Sequence, residues 1–156
     1  MKIQRQISIV IPTFNEEGNI AKLMDRITES MNKADICFEV IFVDDNSTDS
    51  TQKLIKEASK NSDINLVVKP SEIKKGKAES LMIGFSKAKY DLIAMIDADL
   101  QYAPETIPAM FEKIEEGSDI VIANRIDARE SGLRKVATRI FRFTFAKVMH
   151  GLSCDV

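Results

Sequence analysis

Apolar residues along the chain fall into two alternating patterns. Short, nearly continuous apolar runs occupy residues 7–11, 38–43, 64–68, 92–96 and 119–123. They are rich in Ile and Val with few polar positions, which predicts strands buried on both faces of a sheet. Between them, apolar positions recur every three and four residues, as on one face of a helix. Ile20, Leu23, Met24, Ile27 and Met31 form one such set. Ala78, Leu81, Met82 and Phe85 form a second, and Ile107, Met110, Phe111 and Ile114 a third. Asp49 followed by Gln52 reads as the start of a further helix carrying Leu54 and Ile55. Pro104 and Pro108 both stand near the start of the Met110 helix. Proline suits only the first turn, so the two cannot both open one helix and the boundary stays open.

Strand and helix in repetition predict an α/β domain: a mostly parallel central sheet with helices on both faces. No repeat, low-complexity tract or linker interrupts it. Ligands of such sheets bind at the carboxyl ends of the strands, so the residues after each strand carry the candidate chemistry. After the first comes Pro12-Thr13-Phe14-Asn15-Glu16-Glu17, without the Gly-x-Gly-x-x-Gly turn of a dinucleotide site. After the second comes Asp44-Asp45-Asn46-Ser47-Thr48-Asp49, for which a turn with a helix cap is the simpler reading. After the fourth comes Asp97-Ala98-Asp99-Leu100-Gln101, and after the fifth Asn124-Arg125.

In an extended chain, residues 97, 99 and 101 share one side. Two carboxylates and an amide oxygen so placed repel one another unless a cation lies between them. Oxygen donors select a hard divalent ion, Mg²⁺ or Mn²⁺. Lys74-Lys75-Gly76-Lys77 precedes the helix that begins near Ala78. Lys77 is thus a candidate for an anion at a helix N-terminus, with a solvated lysine loop as the other reading.

Composition narrows the class. The 156 residues, 44% hydrophobic and 29% charged, suit one domain with a real core. Residues 124–150 hold seven basic residues against two acidic ones, a net of +5 that leaves −7 for the rest of a chain whose overall charge is −2. An acidic body with a basic end expects a metal-bridged partner and an anionic one. Leu133, Val136, Ala137, Ile140, Phe141, Phe145 and Val148 make an apolar stripe, with Lys135, Arg139 and Arg142 largely opposite. That stripe suits either a membrane interface or packing on the sheet, and periodicity does not separate the two.

Cys37 and Cys154 lack any C-x-x-C spacing and read as ordinary thiols of a reducing compartment. No apolar stretch reaches the ~7–15 residues of a signal-peptide core or the ~20 of a membrane span. The expected location is therefore cytoplasmic, with membrane-surface attachment still open, and no nucleic-acid partner is expected. His150 is the one histidine, and no Gly-x-Ser-x-Gly, Cys–His or zinc pattern supports a nucleophilic hydrolase.

Val10-Ile11-Pro12-Thr13-Phe14-Asn15-Glu16, Val43-Asp44-Asp45-Asn46-Ser47-Thr48-Asp49, Lys75-Gly76-Lys77-Ala78, Asp97-Ala98-Asp99-Leu100-Gln101 and Arg125 follow one another in an order that resembles the family 2 glycosyltransferases of GT-A fold. The resemblance covers essentially the whole chain. It is nearest the polyprenyl-phosphate branch, the dolichol-phosphate mannose synthase type, through Asp-Ala-Asp-Leu-Gln and Arg125, Arg129 and Arg139.

It implies an enzyme that moves a sugar from a UDP- or GDP-sugar to a polyprenyl phosphate, with Mg²⁺ or Mn²⁺ and with inversion. Pro12, Phe14, Glu16, Val43 and Asp45 would line the nucleoside, with Lys77 on the phosphate or sugar. Asp97 and Ala98 would border ribose and diphosphate, Asp99 and Gln101 with Asp97 would hold the metal, and Arg125 and Arg139 would meet phosphate. Asp97 and Asp99 are the implied catalytic pair.

Residues 1–123 would form the nucleotide-sugar-binding core, and residues 124–156 a basic acceptor-side segment. Family members continue into an acidic motif and Ser/Cys-Gly-Phe-Arg, whereas this chain ends at Gly151-Leu152-Ser153-Cys154-Asp155-Val156. The expectation is a C-terminally truncated member that binds its donor. The alternatives are a receiver-like phosphoacceptor domain, a sugar nucleotidyltransferase without its Gly-rich loop, and an inactive nucleotide-sugar-binding module.

Overall fold

A computed structural model describes residues 5–61, 64–69 and 76–123. All of them belong to the first of two compact units, Met1–Ala123; the second, Asn124–Val156, lies outside the described residues. The order is β1 (Gln6–Thr13), α1 (Ile20–Lys33), β2 (Cys37–Asp44), α2 (Thr51–Ala58), β3 (Ile64–Val68), α3 (Lys77–Lys87), β4 (Ile93–Met95) and α4 (Ile107–Glu115). Single-turn 3₁₀ helices add Ser59–Asn61 and Pro104–Thr106.

The described strands form a parallel sheet in the order β3-β2-β1-β4. That order separates this fold from a receiver domain, whose sheet runs 2-1-3-4-5. It also explains the two helical layers. Right-handed crossovers that step from β1 to β2 to β3 put α1 and α2 on one face, and the return to β4 puts α3 on the other. Ile7, Ile9 and Ile11 of β1 with Val40 and Phe42 of β2 pack toward α1, α2 and α4. Val10, Ile41 and Val43 pack toward Leu81 and Ile83 of α3.

The five apolar runs do not all become buried strands. Residues 119–123 belong to no ladder among the described residues, and Ile120 and Ile122 are 80% and 85% exposed. Hydrophobicity favours burial, but a strand exists only where a neighbouring backbone completes its hydrogen bonds. β4 shows the same dependence: Ile96 is buried, while Ile93 and Met95 on its other face are exposed.

The stripe expected on α3 is also displaced. Ser80 and Gly84 are its buried residues, and Met82 is 68% exposed. Gly84 lies so close to the sheet that a Cβ there would stand 2.3 Å from Val10 Cγ1 and 3.2 Å from Val43 Cγ2. Gly84→Ala is therefore expected to destabilise the fold by about 2 kcal/mol despite alanine's better helix propensity. Urea unfolding would check this, with Val10→Ala in the same chain restoring part of the loss.

The two prolines are reconciled by a break. Pro104 opens the 3₁₀ turn, and Pro108 is the second residue of α4, so each sits in the first turn of its own segment. The first helical stripe is buried as expected, with Ile20, Leu23, Met24, Ile27 and Met31 on α1; of the third, Ile107 and Phe111 are buried on α4 while Met110 and Ile114 are half-buried. The capping reading of Asp49 is modified. Ser50 precedes α2, Asp49 Oδ1 accepts the Thr51 N–H at 2.9 Å, and Gln52 Nε2 donates instead to Asp44 Oδ2 at 2.7 Å.

Candidate functional site

The chain steps outward from β1 through β2 to β3 and then returns to β4 on the other side of β1, so the order of strands reverses at β1. Open α/β sheets bind ligands in the crevice at such a point, outside the carboxyl ends of the strands. Here those ends are Thr13, Asp44 and Met95.

The loops after β1 and β2 are joined by reciprocal hydrogen bonds. Asp45 N donates to Thr13 O at 2.9 Å, Asn15 N to Ser47 Oγ at 2.9 Å and Glu16 N to Thr51 Oγ1 at 2.8 Å. In return, Thr48 N donates to Asn15 Oδ1 at 2.8 Å and Ser50 N to Glu17 Oε2 at 2.8 Å. Asn15 and Asn46 adopt φ of 55° and 60°, a left-handed conformation that Asn tolerates better than most residues.

Desolvation acts to raise the pKa of Asp49, but hydrogen bonds from the Thr51 side chain and backbone and from the Glu17 N–H outweigh it and hold the carboxyl below its usual range. Its contribution to stability is present at neutral pH and is lost as pH falls through that lowered value. The result is a braced rim, not two independent loops.

On this rim Phe14 is 49% exposed, and Pro12 and Glu16 are half-buried. Glu16 Oε2 accepts from Asn19 Nδ2 at 2.7 Å. Asp44 is fully buried and serves the turn, accepting from Ser47 N at 2.9 Å, from the Ser47 hydroxyl and from Gln52. The turn reading of the Asp44-Asp45-Asn46-Ser47 run thus holds for Asp44. Asp45 differs: Oδ1 lies 2.8 Å from Lys69 Nζ and Oδ2 accepts the Gly76 N–H at 3.0 Å.

Two expected lining residues have buried side chains. Val43 is fully buried behind Val10 and α3, and Ala98 packs in the main core. These small apolar side chains fill the core behind the strand ends.

The acidic turn after β4 departs from the extended geometry expected of it. The strand ends at Met95 and residues 98–101 turn, with Leu100 at φ 58°. Strand alternation therefore does not set Asp97, Asp99 and Gln101. Asp97 is half-buried, and its Oδ1 lies 2.5 Å from Nζ of Lys77, the first residue of α3. Asp99 is exposed, and its Oδ1 accepts the Gln101 N–H at 3.0 Å. Lys77 and Asp97 are thus brought together from separate elements. Arg125 and Arg139 lie outside the described residues, as does the apolar stripe of residues 133–148.

The donors fit a small hard cation of one kind. Among the described residues no three His, Cys, Asp or Glu side chains gather into a protein cage. An exposed Asp99 with the neighbouring Gln101 and Asp97 suits an ion held by one or two carboxylates and completed by substrate phosphates and water, the habit of Mg²⁺.

Sequence reasoning missed two features. Lys69 is 1% exposed, although lysine at the end of an apolar run ordinarily signals the surface. An apolar cavity of about 640 Å³ follows the outer edge of β4, lined by Leu81, Phe85, Met95, Phe111 and Ile120, with Lys77 and Asp97 also on its wall. No helix among the described residues is long and apolar enough to cross a membrane.

Comparison with known proteins bears on the family and the fold. The family profile described as Glycosyl transferase family 2 matches residues 8–152. The undecaprenyl-phosphate 4-deoxy-4-formamido-L-arabinose transferase of Proteus mirabilis is 34% identical over 142 residues, 91% of this chain and 44% of the relative. The chain therefore spans less than half the length of that relative.

Among solved structures, a mannosyltransferase from Pyrobaculum calidifontis in complex with GDP-Man and Mn²⁺ is similar with TM-score 0.58 and 27% identity, over 71% of this chain and 32% of that one. Glucosyl-3-phosphoglycerate synthase from Mycobacterium tuberculosis, in complex with Mn²⁺, uridine diphosphate and glucosyl-3-phosphoglycerate, is similar with TM-score 0.59 and 26% identity, over 72% and 40%.

Proposed function

The chain belongs to glycosyl transferase family 2, and from that premise we propose that it binds a nucleoside-diphosphate sugar and a divalent metal at the carboxyl ends of β1, β2 and β4. In this reading the sugar passes to a polyprenyl phosphate with inversion. The observation that carries the reading is the Lys77–Asp97 pair beside Asp99, at the crevice where the sheet reverses.

In this reading each element has a separate task. Phe14 offers an exposed aromatic face to the nucleobase, and Pro12, Glu16 and Asp45 bound the nucleoside. Lys77 balances Asp97 and meets the diphosphate. Asp99 and Gln101, with Asp97, would hold Mg²⁺ or Mn²⁺. The metal, when bound, supplies a Lewis acid that neutralises charge on the departing diphosphate.

Arg125 and Arg139 would meet phosphate, as guanidinium suits that anion. An acceptor phosphate oxygen is already ionised near neutral pH, so it attacks the anomeric carbon without a strong general base. The new C–O bond forms as the bond to the diphosphate breaks on the opposite side. The undecaprenyl-phosphate relative supports a lipid acceptor and, with it, a reaction at a membrane surface.

Calorimetry of UDP, GDP and their sugars with Mn²⁺, repeated in EDTA, tests the reading. One nucleotide is expected to bind in Mn²⁺ and to lose about 100-fold or more of its affinity in EDTA. Equal affinity in both would reject the metal assignment, and no binding at all would reject the donor site.

A further inference from the structure

The acidic turn after β4 is held at its entry by the sheet. Ile96 N donates to Val10 O at 3.2 Å, and Ala98 is buried in the core. On the exit side the chain runs through Leu100 and Tyr102, both packed against the core, to the buried Pro104 that opens a 3₁₀ turn. Leu100 has φ 58°, a left-handed conformation that leucine adopts only at a cost. A residue so strained persists where its surroundings hold it, and this one stands between Asp99 and Gln101.

Part of that hold comes from α1. Arg26 Nε donates to Glu105 Oε1 at 2.7 Å and Arg26 Nη2 to Glu105 Oε2 at 2.6 Å, a fork of two charge-assisted bonds between residues 79 apart in the chain. Hydrogen bonding from Arg26 holds the Glu105 carboxyl below its usual range, so the pair is ionised at neutral pH. Each end of the clamp has a firm base. Leu23, Ile27 and Met31 fix α1 in the core, and Thr106 N and Oγ1 both donate to Ala103 O, at 3.0 Å and 2.7 Å, closing the turn that carries Glu105.

Resting on the reading above, we propose that Arg26 and Glu105 are positioning residues that hold the turn of Asp99 and Gln101 in its cation-binding shape. The pair acts by tying down the exit of the turn, so that Leu100 stays left-handed and the oxygens on either side of it are ordered before the ion arrives. Donors ordered in advance bind more tightly, because the ion need not supply the free energy of ordering them.

The test measures the preferred nucleoside diphosphate in Mn²⁺ and in EDTA for Arg26→Met, Glu105→Gln and the double variant. The two side chains are 29% and 50% exposed, so their replacement should leave the core intact. A clamp cannot favour one shape of the turn by more than it contributes, and a partly exposed pair contributes modestly. The ratio of the two affinities, about 100-fold in the unmutated chain, is therefore expected to fall roughly 3–10-fold in each single variant. The affinity in EDTA is expected to stay within about twofold. Two residues that act as one clamp are not additive, so the double variant should lose no more than either single one. Arg26→Lys, which keeps the charge without the fork, should lose an intermediate amount and serves should Arg26→Met not fold.

Equal losses in Mn²⁺ and in EDTA would make the pair a general support of the fold and overturn the proposal. Single losses that add in the double variant overturn it as well. An unchanged ratio in the variants overturns it while leaving the metal site standing. Should the unmutated chain show no dependence on Mn²⁺, the metal assignment fails and the proposal falls with it.

Discussion

Asp99→Ala is expected to lower the Mn²⁺-dependent affinity for the preferred nucleoside diphosphate about 100-fold, or ~2.7 kcal/mol, and to leave the weak affinity measured in EDTA unchanged. Asp99 is exposed on the turn after β4, so its replacement should leave the core undisturbed. Its Oδ1 does stabilise that turn through the Gln101 N–H, and alanine removes this bond along with the charge. Asp99→Asn separates the two effects. Asparagine keeps a carbonyl oxygen for Gln101 but brings no charge to the metal. A loss of similar size in both variants assigns the effect to the cation. Full affinity in Asp99→Asn would make Asp99 a turn residue and defeat its metal role.

Glu39→Ala is expected to destabilise the domain by about 3 kcal/mol, roughly 6–12 °C in Tm. Glu39 is buried on the α3 face of β2, directly opposite Ser8 in the ladder. Its Oε1 accepts from Ser8 Oγ at 2.6 Å and Lys89 N at 2.6 Å, and its Oε2 from Asn65 Nδ2 at 3.3 Å. Ser8 Oγ in turn accepts from Tyr90 N at 3.0 Å, so the pair anchors the connection from α3 to β4. Alanine would strand these donors, each worth about 1–3 kcal/mol when buried without a partner. Glu39→Gln keeps one acceptor and should recover about half of the loss. Guanidinium unfolding that finds alanine within ~0.5 kcal/mol of the unmutated chain, the range of an ordinary surface change, would remove the anchoring role.

The link from this anchor to the site is geometric. α3 must lie close against β1 and β2 at Gly84 for Lys77, at its other end, to reach Asp97. The Glu39 cluster fixes where α3 hands over to β4, and the contacts of Asp45 with Lys69 and Gly76 fix where it begins. The site depends on packing at both ends of one helix.

The sequence by itself determined the alternation of strand and helix, five apolar runs of which four pair among the described residues, and the order of polar residues at their ends. Those features are local: side-chain periodicity, turn chemistry and strand length are written in consecutive residues. The likeness of Asp97-Ala98-Asp99-Leu100-Gln101 and its companions to one enzyme family was legible for the same reason.

Only the tertiary structure decided which face of α3 is buried, because the closest contact uses Ser80 and Gly84, which carry no hydrophobic signal. It decided that residues 119–123 complete no described ladder, since a strand needs a neighbour. It decided that the side chains of Val43 and Ala98 are buried in the core. It also turned Lys69 from an apparent surface lysine into the buried partner of Asp45. Each of these outcomes depends on atoms distant in the chain, and no local pattern encodes which distant group will arrive.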